Sequence, residues 1–132
     1  MSPKTLFCAG VVVASAWIAG CERQVSFADD IQPILTNSCV RCHDGNAEGE
    51  AVSGLNLTSY EGVMQGTRYG KVVVPGSAMS SALYLTVAGK TGPEIRMPPH
   101  HEGKWAQGEG IPLSAKYIET IERWIDQGAQ DN

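Results

Sequence analysis

The chain has 132 residues, with 14 acidic and 10 basic side chains and a net charge of -4 at pH 7. This length accommodates a single domain with a modest hydrophobic core. Because phosphate binding requires a basic stripe, the acidic balance argues against nucleic acid as a partner.

The N-terminal residues are predicted to form an export signal. Lys4 precedes an apolar run from Leu6 to Ala19, which is the pattern of a secretory signal. The run is shorter than the roughly 20 apolar residues that a membrane-spanning helix needs. We therefore predict a signal peptide over residues 1–20, a lipidated N-terminus and short linker over 21–26, and one domain over 27–132.

The end of the signal, Ile18-Ala19-Gly20-Cys21, resembles the lipobox of bacterial lipoproteins. In that family the cysteine is acylated and becomes the first residue of the mature chain. The resemblance implies that Cys21 anchors the protein in the outer or inner membrane of a bacterial envelope, facing the periplasm, because several acyl chains anchor stably. The alternative is cleavage after Ala14-Ser15-Ala16, which would release a soluble protein with a free thiol.

A first helix is predicted from Phe27 to about Asn37. Asp29 and Asp30 favour its N-terminal end, and the next apolar residues form one stripe, namely Ile31, Ile34 and Leu35.

The residues after this helix, Cys39-Val40-Arg41-Cys42-His43, have the C-x-x-C-H spacing of a c-type haem attachment site. Two thiols three residues apart share one face of a helical turn, so each can form a thioether with the haem. His43 would then be the proximal iron ligand. All four cysteines are then accounted for without a disulfide, since Cys8 is removed with the signal, Cys21 is acylated, and Cys39 and Cys42 bind the haem.

Three other functions are known for cysteines at this spacing or beside such histidines: a zinc site, a thioredoxin-like redox site and a copper site. A zinc site needs four ligands, and His100 and His101 lack the usual finger spacing. A thioredoxin-like site needs a βαβ pattern, which is not visible. Copper could use Met97, His100 and His101 with the cysteine thiolates, but haem attachment would consume the thiols.

Three further helices bring the predicted total to about four, with long loops between them. Two short ones are predicted from Ser59 to Gln65 and from about Ser80 to Val87. The last runs from an N-cap at Ser114 to Gly128. Its apolar residues recur at helical spacing, at Ile118, Ile121 and Ile125. It is expected to pack against the first helix.

The sixth ligand of the iron is predicted to be Met97. It stands in Arg96-Met97-Pro98-Pro99, where prolines stiffen the backbone and disfavour a helix. Met64 and Met79 lie in or beside predicted helices and are expected to be packing residues. His100 and His101 remain competing ligands. The carbonyl of Pro75 is a candidate acceptor for the second nitrogen of His43.

Several blocks, taken in order, resemble the Planctomycete-type cytochrome c domain. They are Val25 to Leu35, Cys39 to His43, Gly54 to Glu61, Val74-Pro75-Gly76, Met97-Pro98-Pro99, Pro112-Leu113-Ser114 and Trp124 to Ala129. The resemblance implies an all-α cytochrome c fold around one covalent haem c, with His43 and Met97 as axial ligands. A domain of this kind is often fused to larger modules, whereas here it follows a lipobox.

These features predict a one-electron carrier in an envelope electron-transfer chain, not an enzyme, with no small-molecule substrate. An acidic carrier suits a redox partner with a basic docking face. Two alternatives stay open. An iron with a free sixth position would make a peroxidase or gas sensor, and the chain could be the haem subunit of a larger membrane redox complex.

Overall fold

The structure is a computed structural model that describes residues 22–46, 48–99 and 112–132. The predicted signal over residues 1–20, the predicted lipidation site Cys21, and the two candidate ligands His100 and His101 lie outside the described residues. The described part is helical and has no strand. The predicted all-α class is therefore confirmed, and the architecture is that of a small cytochrome c-like fold.

Five α-helices occur in the described ranges: α1 (Gln32–Ser38), α2 (Glu48–Ser53), α3 (Tyr60–Gln65), α4 (Ala82–Val87) and α5 (Ala115–Asp126). Three short turns of other helix types accompany them, at Phe27–Ile31, Ala78–Ser80 and Pro93–Ile95. The prediction of about four helices missed α2. None of the described helices has the length and apolar character needed to cross a bilayer.

The first predicted helix is two segments in continuous succession. Residues Phe27–Ile31 form a π-helical turn, in which the amide of Ile31 donates to the carbonyl of Ser26 at 3.2 Å. The Ser26 hydroxyl accepts from the amide of Asp29, and the Asp30 carboxylate accepts from the amide of Ser26. This hydrogen bond, together with Arg23, lowers the pKa of Asp30. Reciprocal capping of this kind satisfies the free amides at a helix start.

The last helix, α5, packs against the Phe27–Ile31 turn that begins the first predicted helix. Ser114 caps it by accepting from the amide of Tyr117, as predicted. The side chains of Ile121, Trp124 and Ile125 are almost fully buried. The helix ends because Gly128 adopts a φ of 104°, a left-handed conformation that glycine accepts without strain, and the next amide donates to the carbonyl of Trp124.

An aromatic cluster joins the two ends of the chain to α3. The ring of Phe27 lies 5.2 Å from that of Tyr60 and 5.5 Å from that of Trp124, between centroids. The first pair meets edge to face and the second is tilted, and aromatic contacts of this kind add to the free energy of burial. Both polar ring groups are satisfied, since the Tyr60 hydroxyl donates to the carbonyl of Ala129 and the Trp124 indole donates to that of Gln130.

Hydrogen bonds from backbone amides tie residues 25–28 to the C-terminal residues of the chain. The amides of Phe27 and Ala28 donate to the side chain and the carbonyl of Asn132, and the amide of Val25 donates to the side chain of Gln127. The predicted packing of the terminal helices is confirmed. This arrangement fixes α1 in place, and the cysteine motif begins at the residue after α1.

Candidate functional site

The C-x-x-C-H residues form a hydrogen-bonded turn directly after α1. The amide of Cys39 donates to the carbonyl of Leu35, and the amides of Cys42 and His43 both donate to the carbonyl of Cys39. Backbone hydrogen bonding therefore closes a tight turn over the motif. It brings Cys39, Cys42 and His43 together on one turn, as the spacing predicts.

The two thiols have different surroundings. Cys39 is partly buried against the hydrophobic core, whereas Cys42 is exposed, and neither is in a disulfide. Burial, and secondarily the neighbouring Cys42, raises the pKa of the Cys39 thiol to about 11. Dithiol redox sites work through a lowered thiol pKa. The environment of Cys39 is therefore unlike that of a thioredoxin-like nucleophile.

The imidazole of His43 is buried, with 8% of the residue exposed, and one ring nitrogen is already engaged. Its Nδ1 lies 3.2 Å from the backbone carbonyl oxygen of Leu55. A carbonyl oxygen only accepts hydrogen bonds, so Nδ1 carries the proton and Nε2 presents its lone pair. A histidine that ligates a metal commonly has this arrangement, because the second nitrogen is held by an acceptor.

The acceptor for His43 differs from the one predicted. The sequence pointed to Pro75, but the structure places the carbonyl of Leu55 beside Nδ1. Leu55 follows α2, the helix that the sequence pattern did not reveal. A further bond, from the amide of Leu57 to the carbonyl of His43 at 2.9 Å, holds the same loop against the histidine backbone.

Gly49 in α2 passes close to the free edge of the His43 ring. A Cβ placed on it would lie 2.6 Å from the carbonyl oxygen of Cys42, 2.9 Å from Cε1 of His43 and 3.1 Å from Nε2. Only glycine leaves this space clear. The described residues thus fit a haem c, with two thiols on one turn, a proton fixed on Nδ1, and no side chain at position 49 against Nε2.

Met97 lies on a separate loop that is attached to α4. Its amide donates to the carbonyl of Thr86 at 3.2 Å, and its side chain is half-buried against the core. Of the other methionines, Met64 is half-buried within α3 and Met79 is 62% exposed. The assignment of Met97 as an iron ligand remains a prediction, as does the competition from His100 and His101.

The alternative hypotheses of a bound zinc or copper ion have no support in the described ranges. Within residues 22–46, 48–99 and 112–132, no three His, Cys, Asp or Glu side chains converge to hold a metal ion. A structural zinc site would need four such ligands around one point. The copper hypothesis depends on His100 and His101, which lie outside those ranges.

The residues that sequence reasoning missed act through the backbone or through the absence of a side chain. Leu55 contributes a carbonyl, Gly49 contributes space, and the hydroxyl of Ser53 bonds the backbone on both sides of the turn between them. The one sequence feature that pointed to this turn was Gly54, because glycine readily adopts a positive φ. In the structure its φ is 75°, which makes the turn that leads to Leu55.

Comparison with known proteins agrees with the motif. Residues 39–101 match the family described as Planctomycete cytochrome C. This segment includes Cys39, Cys42, His43 and Met97, and a cytochrome c domain binds haem. The resemblance seen in the sequence is confirmed over this segment. No solved structure was found to match the chain.

A curated protein, hydrazine synthase subunit alpha of Kuenenia stuttgartiensis, is also similar. The two sequences are 31% identical over 129 aligned residues, which cover 83% of this chain and 16% of that protein. The chain therefore spans about a sixth of the length of this relative. The prediction that the chain is purely an electron-transfer protein and not an enzyme is wrong, because this relative is a subunit of an enzyme.

We predict that Gly49→Ala impairs the site. The added methyl group must displace the Cys42 carbonyl or the His43 ring, and overpacking of this kind costs roughly 1–3 kcal/mol. We expect less covalently bound haem per chain and a high-spin component in the optical spectrum, since His43 is pushed from its position.

The control is Ile121→Val in α5, which truncates a fully buried core side chain at a cost of roughly 0.5–1.5 kcal/mol. It should lower the free energy of unfolding by a comparable amount and leave the haem spectrum unchanged. Equal spectral effects in both variants would show that Gly49 matters only for stability.

Proposed function

Because residues 39–101 match a cytochrome c family, we propose that the chain is a monohaem c-type cytochrome whose haem takes part in the reaction of a redox enzyme. In this proposal Cys39 and Cys42 hold the haem through thioethers, and His43 and Met97 are the axial ligands of the iron. The chain then serves as a haem subunit or haem domain of a larger assembly.

The observation that carries the proposal is the position of His43. Its ring is buried one residue beyond the second cysteine, and Nδ1 is held by the carbonyl of Leu55. That contact fixes the orientation of the ring and leaves the second nitrogen, Nε2, for a metal. A histidine with only a structural role would need no cysteine pair at this spacing.

Haem c, when bound, supplies reversible one-electron oxidation and reduction. The residues of this chain would decide how that chemistry is used. Burial of His43 against the core excludes water from the proximal side, and the two thioethers prevent dissociation. Met97, held by Thr86 and half-buried, would close the second axial position, so that electrons are exchanged without an open coordination site.

Participation in an enzyme is supported by the relative. Hydrazine synthase subunit alpha is an enzyme subunit, and this chain matches a share of it that has the size of one domain. A bound haem c can pass single electrons to chemistry that occurs elsewhere in an assembly. We propose this role here, with a partner that presents a basic face to the acidic chain.

A second candidate is that the haem is itself the catalytic centre. The similarity to an enzyme subunit favours it, because an iron whose sixth position is free can bind peroxide or a gas. The identity of the sixth ligand separates the two candidates.

The cell envelope is the proposed location. The lipobox-like residues before Cys21 support lipid anchoring with the domain facing the periplasm, where covalent haem attachment occurs.

The proposed assembly is tested by the size at which the haem-bearing chain elutes. In a mild detergent extract of the native cells, we expect the haem-bearing chain to elute in a complex larger than the same chain matured alone in an identical detergent. Co-elution of the two preparations would contradict a stable enzyme assembly.

The axial ligand is tested by Met97→Ala in the full chain, matured in a host that attaches haem c. The unmodified protein should be low-spin, show the weak far-red sulfur-to-iron band and ignore peroxide and carbon monoxide. The variant should lose that band and bind carbon monoxide. Met64→Ala, which truncates another half-buried methionine, is the matched control and should leave the band intact.

Persistence of the band in Met97→Ala would exclude this ligand. A high-spin, ligand-responsive unmodified protein would instead favour the haem as catalytic centre.

The lipid anchor is tested by Cys21→Ser. The variant should lose membrane association while retaining its haem, because the acyl chains are the proposed attachment and the haem site is remote in sequence. The measurement is fractionation followed by haem quantification. A haem-bearing variant that still sediments with membranes would refute lipidation at Cys21.

A further inference from the structure

A short stretch of chain, residues 48–57, crosses beside His43 and supplies its hydrogen-bond acceptor. We call it the histidine strap. It consists of α2 followed by a turn, and it contacts the histidine at two points. Leu55 accepts from the ring, and the amide of Leu57 donates to the backbone carbonyl of His43.

The hydroxyl of Ser53 joins the two halves of the histidine strap. It donates to the carbonyl of Gly49 at 2.7 Å, one turn earlier in α2, and accepts from the amide of Leu55 at 3.1 Å. The same side chain therefore holds both Gly49, which leaves room for Nε2 of His43, and Leu55, which accepts from Nδ1.

Leu55 is consequently fixed on both sides of its Cα. Its amide is held by Ser53, and its carbonyl is held against His43. Gly54 lies between Ser53 and Leu55 and has a φ of 75°. Because glycine adopts positive and negative φ values about equally readily, the backbone at this position does not by itself fix the direction of the Leu55 carbonyl. Without the Ser53 hydroxyl, the Leu55 amide would lose its partner, and the direction of the Leu55 carbonyl would be held less firmly.

Arg68 holds the histidine strap from its other side. Its amide donates to the carbonyl of Ser53 at 2.9 Å, and its guanidinium donates to the carbonyl of Ala51 at 2.8 Å. Ser53 is thus anchored through its backbone as well as its hydroxyl. A network of hydrogen bonds within and beside the histidine strap therefore fixes the position of the Leu55 carbonyl, which in turn accepts from His43.

We propose that Ser53 is a positioning residue for the iron ligand His43, acting through Leu55. The hydrogen bond from Nδ1 to a carbonyl makes the imidazole a stronger donor, which favours the oxidised iron and lowers the reduction potential. By holding that carbonyl in place, the Ser53 hydroxyl keeps the potential low. This inference rests on the proposed haem binding.

The test compares three variants of the full chain after covalent haem attachment, with the reduction potential as the readout. In Ser53→Ala, the Leu55 carbonyl loses its support, and we expect a higher potential. The expected change in the ratio of reduced to oxidised protein at fixed ambient potential is about threefold to tenfold, or roughly 30–60 mV. Ser53→Thr keeps a hydroxyl and should restore a value near that of the unmodified protein.

Ser81→Ala is the matched control. Ser81 makes the same pair of bonds elsewhere, since its hydroxyl donates to the carbonyl of Ser77 and accepts from the amide of Val74, both at 2.8 Å. It is also fully buried. Its loss should lower the unfolding midpoint and leave the potential unchanged, which separates a positioning role from a general loss of stability.

Four outcomes would overturn the inference. These are an unchanged potential in Ser53→Ala, an equal shift in Ser81→Ala, failure of Ser53→Thr to restore the value, and an unmodified chain without haem. The last would refute the proposed function too, whereas the first three leave it intact. If Ser53→Ala yields no haem protein, Arg68→Met replaces it and should raise the potential by a smaller amount; no rise in that variant overturns the inference.

Discussion

The hydrogen bond between Nδ1 of His43 and the carbonyl of Leu55 is the contact on which the site depends. It settles which nitrogen carries the proton, and therefore which one is free for a metal. It also fastens the loop after α2 to the cysteine motif. A buried imidazole without such a partner would lose a hydrogen bond and the orientation that a ligand needs.

The rest of the domain serves to hold the two sides of this contact. On one side, the packing of Phe27 and Trp124, with the bonds to Asn132, fixes the helix from which the motif continues. On the other side, Ser53 and Arg68 hold the loop that carries Leu55. Several of these interactions join residues that are far apart in the sequence, such as Phe27 with Trp124 and Ser53 with Arg68.

The sequence predicted the parts of the molecule that depend on side-chain chemistry and on the helical spacing of apolar residues. The C-x-x-C-H turn, the N-cap of α5 and the apolar face of α5 were all visible in residue types. Helix α2 was not, because six residues containing a glycine and few apolar side chains show no helical period. Nor was Leu55, since any residue can supply a backbone carbonyl. The acceptor for His43 was therefore assigned wrongly to Pro75.

The central claim, that this turn carries haem c, is tested most directly by tandem mass spectrometry of the peptide containing Cys39, Cys42 and His43. The chain should come from a host competent for haem attachment. We predict one haem linked to both cysteines by thioethers. A peptide with free thiols, a disulfide between Cys39 and Cys42, or bound zinc in the intact protein would contradict the account.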